Sequence, residues 1–193
     1  KMQDVSDLRD WAGLDLTGVA DMTTLVQAAV DATAAAGKVL YLPAGKLRLT
    51  APIIVPKGAN IEGPNQPCDR NGTFSAFSTY FHLDHVGVGF NLLGAVDGPR
   101  RIAGFGTYRN QPTPAPGWVP LGASADVQIS GCYDAIVEDI FFLNPTTALR
   151  VTGNLIAGGH SNGRLTIRRL RGQPVQTGLT LTHIYDVIYV DDI

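Results

Sequence analysis

Apolar positions keep a helical period at one place in the chain. Between Thr24 and Ala36, Leu25, Val26, Ala29, Val30 and Thr33 recur at three- and four-residue spacing in an alanine-rich run that Gly37 closes. Asp21 and Thr24 are candidate N-caps, and Thr24-Leu-Val-Gln27 has the spacing of a capping box. After Gly37 the pattern becomes short apolar or alternating runs between turns. Lys38–Leu42, Leu47–Leu49, Ile53–Val55 and Asn60–Glu62 follow one another, and Gly63-Pro64 closes the last. The stretch Gly104–Ser124 breaks the rhythm. Its Gln111-Pro-Thr-Pro-Ala-Pro-Gly-Trp-Val-Pro120 cannot be a central strand, because proline lacks the ladder donor, so it predicts a long surface excursion.

The last third contains a repeat. Val137-Glu-Asp-Ile140, Ile167-Arg-Arg-Leu170 and Val190-Asp-Asp-Ile193 share an apolar-charged-charged-apolar pattern, with starts 30 and 23 residues apart. Ala148-Leu-Arg-Val-Thr152 matches Gly178-Leu-Thr-Leu-Thr182, and Tyr133-Asp-Ala-Ile136 matches Tyr185-Asp-Val-Ile188. An irregular period in the twenties, built from short strands, predicts a β-solenoid whose coils bury their core only by stacking.

Leu8-Arg-Asp-Trp-Ala-Gly13, Gly18-Val-Ala-Asp21, the helix with Leu25, Gln27, Ala28 and Ala29, and Val39-Leu-Tyr-Leu-Pro-Ala-Gly45 carry a resemblance. This opening, with Ile53 through Gly63, resembles the start of pectate-lyase-superfamily right-handed β-helices, most of all bacteriophage tailspikes and polysaccharide depolymerases. The resemblance implies an all-β, right-handed parallel β-helix over residues 1–193, read as a single domain. Residues 1–37 would be a leading segment with a capping helix that shields the open end of the coils, and 38–193 the coils themselves. It further implies a homotrimer on a virion tail that recognises, and depolymerises, a bacterial surface polysaccharide such as capsule or lipopolysaccharide. The alternatives are a non-catalytic glycan-binding or structural virion module, and a secreted pectinase-like lyase or hydrolase.

Composition narrows the classes. Apolar residues are 45% of the 193 and charged residues 17%, against about 25% charged in typical domains, which disfavours disorder. A net charge of −2 without a basic stripe argues against nucleic acid as partner. No apolar run approaches the roughly 20 residues of a membrane span, so no membrane insertion is expected. Cys68 and Cys132, far apart, read as separate buried thiols. The stop at Tyr189–Ile193, inside an apolar strand pattern, reads as part of a longer polypeptide.

Candidate chemistry is sparse. Glycoside hydrolysis needs two carboxylates, and elimination needs a base with a cation to neutralise the sugar acid. There are two glutamates, Glu62 and Glu138, so aspartates would have to contribute. Glu138-Asp139 and Asp191-Asp192 occupy the same corner of the repeat as Arg168-Arg169. Coils about 4.8 Å apart would stack acid, base and acid there, so these predict an outward salt-bridge ladder rather than a catalytic pair. Asp134 and Asp186, each after a tyrosine, predict turn residues. His82 and His85 sit three apart in a strand-like run and point to opposite faces. With His160 and His183 they show no ligand spacing, so no metal and no cofactor is expected. Catalytic residues are therefore not located, and this stretch alone is expected not to cleave polysaccharide. The excursion supplies the candidate carbohydrate-binding set: Phe105, Tyr108 and Trp118 offer flat faces to sugar rings, and Arg109 a partner for an acidic sugar. Trp118 could instead staple the loop to the solenoid.

Overall fold

The computed structural model describes residues 4–65, 74–94, 98–122, 124–153 and 161–193. Cys68 and His160 lie outside the described residues. The chain opens with β1 (Val5–Asp7), a 3-10 turn at Leu8–Asp10, β2 (Thr17–Asp21) and helix α1 (Thr23–Ala36). It then winds in coils of three short strands. The first is β3 (Val39–Tyr41), β4 (Gly45–Leu49) and β5 (Ile53–Val55), and the second β6 (Asn60–Glu62), β7 (Thr79–Leu83) and β8 (Phe90–Leu93). The third is β9 (Arg100–Ala103), β10 (Gly106–Tyr108) and β11 (Ala125–Ser130), and the fourth β12 (Ala135–Glu138), β13 (Phe141–Leu143) and β14 (Thr147–Thr152). The fifth is β15 (Leu165–Arg168), β16 (Arg171–Gln173) and β17 (Thr177–Leu181), after which β18 (Ile188–Asp191) begins a sixth.

Successive coils pair strand on strand, all in parallel. Sheet A runs β1-β3-β6-β9-β12-β15-β18, sheet B runs β2-β4-β7-β10-β13-β16, and sheet C runs β5-β8-β11-β14-β17. The protein is a right-handed parallel β-helix. Its interior is a set of apolar columns, one residue per coil: Leu40, Ile61, Ile102, Val137 and Ile167 in sheet A, and Ile53, Phe90, Val127 and Leu149 in sheet C. Phe81, Phe90 and Phe105 meet between the sheets with ring centroids 4.9–5.2 Å apart. Two of the three sequence matches are structural columns: Val137, Ile167 and Val190 are in register, as are Leu149 and Leu179, whereas Ile136 aligns through Thr166 with Tyr189 and not with Ile188, one residue off the third match.

The first turn of the solenoid has strands in sheets A and B but a helix where sheet C would begin. α1 buries Val26, Ala29, Val30 and Thr33 against the coil ends, with Met22 buried just before it and Leu25 half-buried at the margin. The apolar stripe is thus turned slightly from the one the sequence suggests, with Val26 replacing Leu25 at its centre. Asp21 fulfils the capping expectation from just outside the helix, accepting from the Thr23 N–H at 3.0 Å. The capping box does not form, because Gln27 is engaged elsewhere. Its amide accepts from the Ile54 N–H at 2.8 Å and donates to the Ile54 carbonyl at 2.9 Å. One side chain thereby pairs with the open edge of β5 as a neighbouring strand would.

The corner from sheet A to sheet B repeats a left-handed residue: Gly104, Asp139, Arg169 and Asp192 have φ of 75°, 54°, 51° and 50°. Asp139 and Arg169 pay a steric penalty there and are joined by an ion pair of 2.5 Å. The expected ladder forms between Glu138-Asp139 and Arg168-Arg169 and extends to Arg101 and Glu62 on the other side, but it does not continue to Asp191-Asp192: among the described residues the Asp192 carboxylate meets only Arg171, at 3.9 Å. Arg101 links Glu62 (2.9 Å) to Glu138 (2.8 Å), and Glu138 also takes Arg168 (2.5 Å) and Arg169 (2.9 Å). Glu138 does not point freely outward, since three arginines cover it to 5% exposure. Burial would raise its carboxyl, but the hydrogen bonds from Arg101 and Arg168 outweigh that and hold it below the ordinary value.

Two outcomes test this account. Val26→Ala should cost about 2 kcal/mol in thermal or urea unfolding, from lost burial and the cavity left behind, and Leu25→Ala should cost clearly less. Arg168→Glu with Arg169→Glu should lower the melting temperature far more than the double alanine variant, because it places like charges around a covered Glu138. Equal melting of the two double variants would refute the ladder's role in register.

Candidate functional site

Outward side chains of a parallel sheet stand one above another at the coil spacing of about 4.8 Å. On sheet B this gives two columns. In the first, Lys46, Tyr80, Gly106, Phe141 and Arg171 are in register, and in the second Arg48, His82, Tyr108, Leu143 and Gln173. Gly106 interrupts the first column, and Phe74 fills the gap from outside. A Cβ on residue 106 would lie 2.1 Å from the Phe74 ring, so only glycine fits beneath it. Phe74 stacks on Tyr80 at 4.2 Å with 4° between planes and meets Phe141 edge-on at 5.7 Å. The result is an aromatic column on the outer face of the solenoid with a cation at each end.

The second column carries polar chemistry. His82 and Tyr108 rings are 5.3 Å apart. The Tyr108 hydroxyl donates to the Asn110 Oδ1, and the Asn110 amide donates to His82 Nε2 at 3.1 Å. Burial first, then the nearby Lys46, lowers the affinity of His82 for a proton, against an opposing pull from Asp84. Arg48 is ion-paired to Asp84 at 2.6 Å, with both groups partly exposed.

The four residues expected to contact sugar separate. Tyr108 stands half-exposed on this face. Trp118 is half-buried in the excursion, its indole N–H on the Pro112 carbonyl at 2.8 Å, so it staples the loop to itself. Phe105 and Arg109 are turned inward and wholly buried, a correction to the surface position suggested for them. The reason is that Gly106–Tyr108 is a strand paired on both sides, so the excursion starts only after Arg109. Phe105 then joins the core. Arg109 reaches Asp126 at 2.5 Å, the Gly87 carbonyl at 2.8 Å and the His85 carbonyl, while Thr107 donates to Asp126 at 2.6 Å. Burial pushes the Asp126 carboxyl up and Arg109 pulls it back. This ion pair closes the base of the excursion. Gln111 closes its neck, donating to the Asn144 carbonyl and accepting from the Leu121 N–H, both at 2.8 Å.

Sequence reasoning missed Lys46, Arg48, Phe74, Tyr80 and Asn110, and weighed His82 only as a metal ligand. The usable signal was the alternation Lys-x-Arg in β4 and Tyr-x-His in β7, which faces outward once Leu47 and Phe81 are set inside. A separate cavity of about 430 Å³ opens at the last coils among Phe142, Ala148, Leu170 and Gly172. Its floor is the buried Phe142, Ala148 and Leu170, and its rim is the exposed Arg171, Gly172, Pro174, Gly178, Asp192 and Ile193 of the last coils.

No family model and no curated protein matches the chain. Several solved structures share its fold. PfbA, a surface adhesin of Streptococcus pneumoniae, aligns with TM-score 0.59 and 14% identity over 97% of this chain and 56% of that protein. An iota-carrageenase complexed to iota-carrageenan fragments aligns at 0.61 and 14% over 96% and 41%. ORF18 of Geobacillus virus E2 aligns at 0.52 and 13% over 97% and 40%. The chain thus spans from two fifths to just over half of their lengths, and the likeness is one of architecture.

The buried corner makes a pH prediction. Both ring nitrogens of His85 are buried without a hydrogen-bond partner among the described residues, and burial, then Arg109, pushes the imidazole from 6.5 down to about 4. The unfolded chain takes this proton near pH 6.5 and the folded chain only near pH 4, so stability is full above the window and lost as pH falls through it. The melting temperature of the wild type relative to His85→Phe should therefore decline from about pH 6.5 to about pH 4. A difference that stays constant over that range would disprove the assignment.

Proposed function

We propose that this protein recognises a bacterial surface polysaccharide along the outer face of sheet B, as part of a tailspike-like depolymerase. The observation that carries the reading is the pair of outward columns, where Tyr80 and Tyr108 lie beside Lys46, Arg48 and His82 across three successive coils. A linear glycan lying along the solenoid axis meets a new set of side chains at each coil, and the coil spacing is close to the length of one pyranose unit. Ring faces of tyrosine match the C–H faces of sugars, and the polar chain Tyr108–Asn110–His82 matches their hydroxyls. The excursion that carries Trp118 leaves the solenoid directly after β10 of this sheet and would offer a second contact. The fold neighbours lend support, being an adhesin, a carrageenase with carrageenan fragments and a viral protein. A virion-borne homotrimer that also cuts the glycan completes the reading.

Incubation with capsule or lipopolysaccharide from candidate hosts tests it. Retention of polysaccharide on the immobilised protein should fall about tenfold in Tyr108→Ala, the equivalent of one lost aromatic contact, while Trp118→Ala should lose less. New reducing ends without unsaturated uronate indicate hydrolysis, both together indicate elimination, and binding alone indicates a recognition module. No retention of any bacterial polysaccharide would end the proposal.

A further inference from the structure

We infer that the sheet B face selects an acidic polysaccharide, with carboxylate or sulfate groups meeting Lys46 and Arg48 while sugar rings lie against Tyr80 and Tyr108. This rests on the reading of that face as the glycan site and adds the class of glycan. The two cations project from one strand on the same side, two residues apart, a single coil from Tyr80 and His82 and two coils from Tyr108.

Their charges are not equally spent. Arg48 shares Asp84, and among the described residues Lys46 has no carboxylate within ion-pairing distance. Lys46 is nonetheless held in place. Its methylene stem lies over Gly18, where a Cβ would fall 2.4 Å from the Lys46 Cδ, and Gly18 has φ +77°. Glycine at residue 18 is what lets the stem lie flat along β2, the neighbour of β4 on the side away from Tyr80, so Lys46 has less side-chain freedom to lose on binding. The surplus charge is felt locally, because Lys46 and Arg48 both disfavour protonation of His82 after burial has done so. A neutral glycan needs only ring faces and hydroxyl partners, which Tyr80, Tyr108 and Asn110 supply. A prepositioned ammonium without a protein counterion adds specificity only toward an anion.

The test measures binding of the chain to alginate and polygalacturonate (carboxylate), dextran sulfate (sulfate) and dextran (neutral), with increasing salt. At least one anionic polymer should bind about tenfold more tightly than dextran, and added salt should weaken that binding. Lys46→Glu should weaken it about tenfold or more, whereas Lys57→Glu, on the turn between β5 and β6, should not. Circular dichroism and melting confirm that each variant is folded. Preference for alginate and polygalacturonate assigns carboxylate, and preference for dextran sulfate assigns sulfate. Equal binding of dextran and the anionic polymers, unaffected by Lys46→Glu, overturns the acidic class; continued dependence on Tyr108 would then leave the site itself standing. Anionic binding lost in Arg150→Gln, on the outer face of sheet C, but kept in Lys46→Glu and Tyr108→Ala, overturns both the site and this inference. Binding by none of the polymers overturns the acidic class as well.

Discussion

Every strand here is three to six residues long, so none has enough contacts to exist alone. What holds them is in-register parallel stacking: the backbone donors and acceptors of each coil are satisfied only by the coils above and below, and each core residue is covered by its own column. That constraint governs both surfaces of each sheet. Inside, it lines up Leu40, Ile61, Ile102, Val137 and Ile167. Outside, it lines up whatever the alternate positions carry, which is how Lys46 comes to stand one coil from Tyr80. The candidate site is a by-product of register and would dissolve with a slip of one residue.

Two kinds of charge pairing protect that register. The exposed corner joins Glu62, Arg101, Glu138, Arg168, Arg169 and Asp139 across four coils, so that any displaced pairing meets like charge. Single exposed pairs of this kind contribute little stability; their value lies in discriminating between alignments. Arg109 with Asp126 is a different device. It is fully desolvated, and every nitrogen of the guanidinium group has an acceptor, which is the condition under which burying such a pair is tolerable.

The coil architecture was legible in the sequence because corners repeat visibly: charged doublets flanked by apolar residues mark the same turn three times, and the structure stacks them. The helix was legible from its period, but its rotation was not, since Leu25 and Val26 are equally apolar and only the shape of the coil ends selects between them. Phe105 and Arg109 misled for a physical reason. A three-residue strand bounded by glycine on one side and a proline run on the other has no internal signature, and its partners lie 26 and 35 residues away in the chain. Gln27 was equally opaque, because its partner is a strand edge rather than a helix terminus. The outward columns required the register first, and the register is a property of the stack rather than of any one segment.

The Arg109–Asp126 clasp has a consequence for variability. Because the two residues that close the excursion are buried and bonded to the coil beneath, the backbone enters and leaves the arm at fixed points, whatever lies between. The entropy of closing a loop grows only slowly with its length, so residues 112–120 can be shortened, extended or rewritten with little cost to the coils. The clasp turns this corner into a socket, where loop sequences can be exchanged on an unchanging frame.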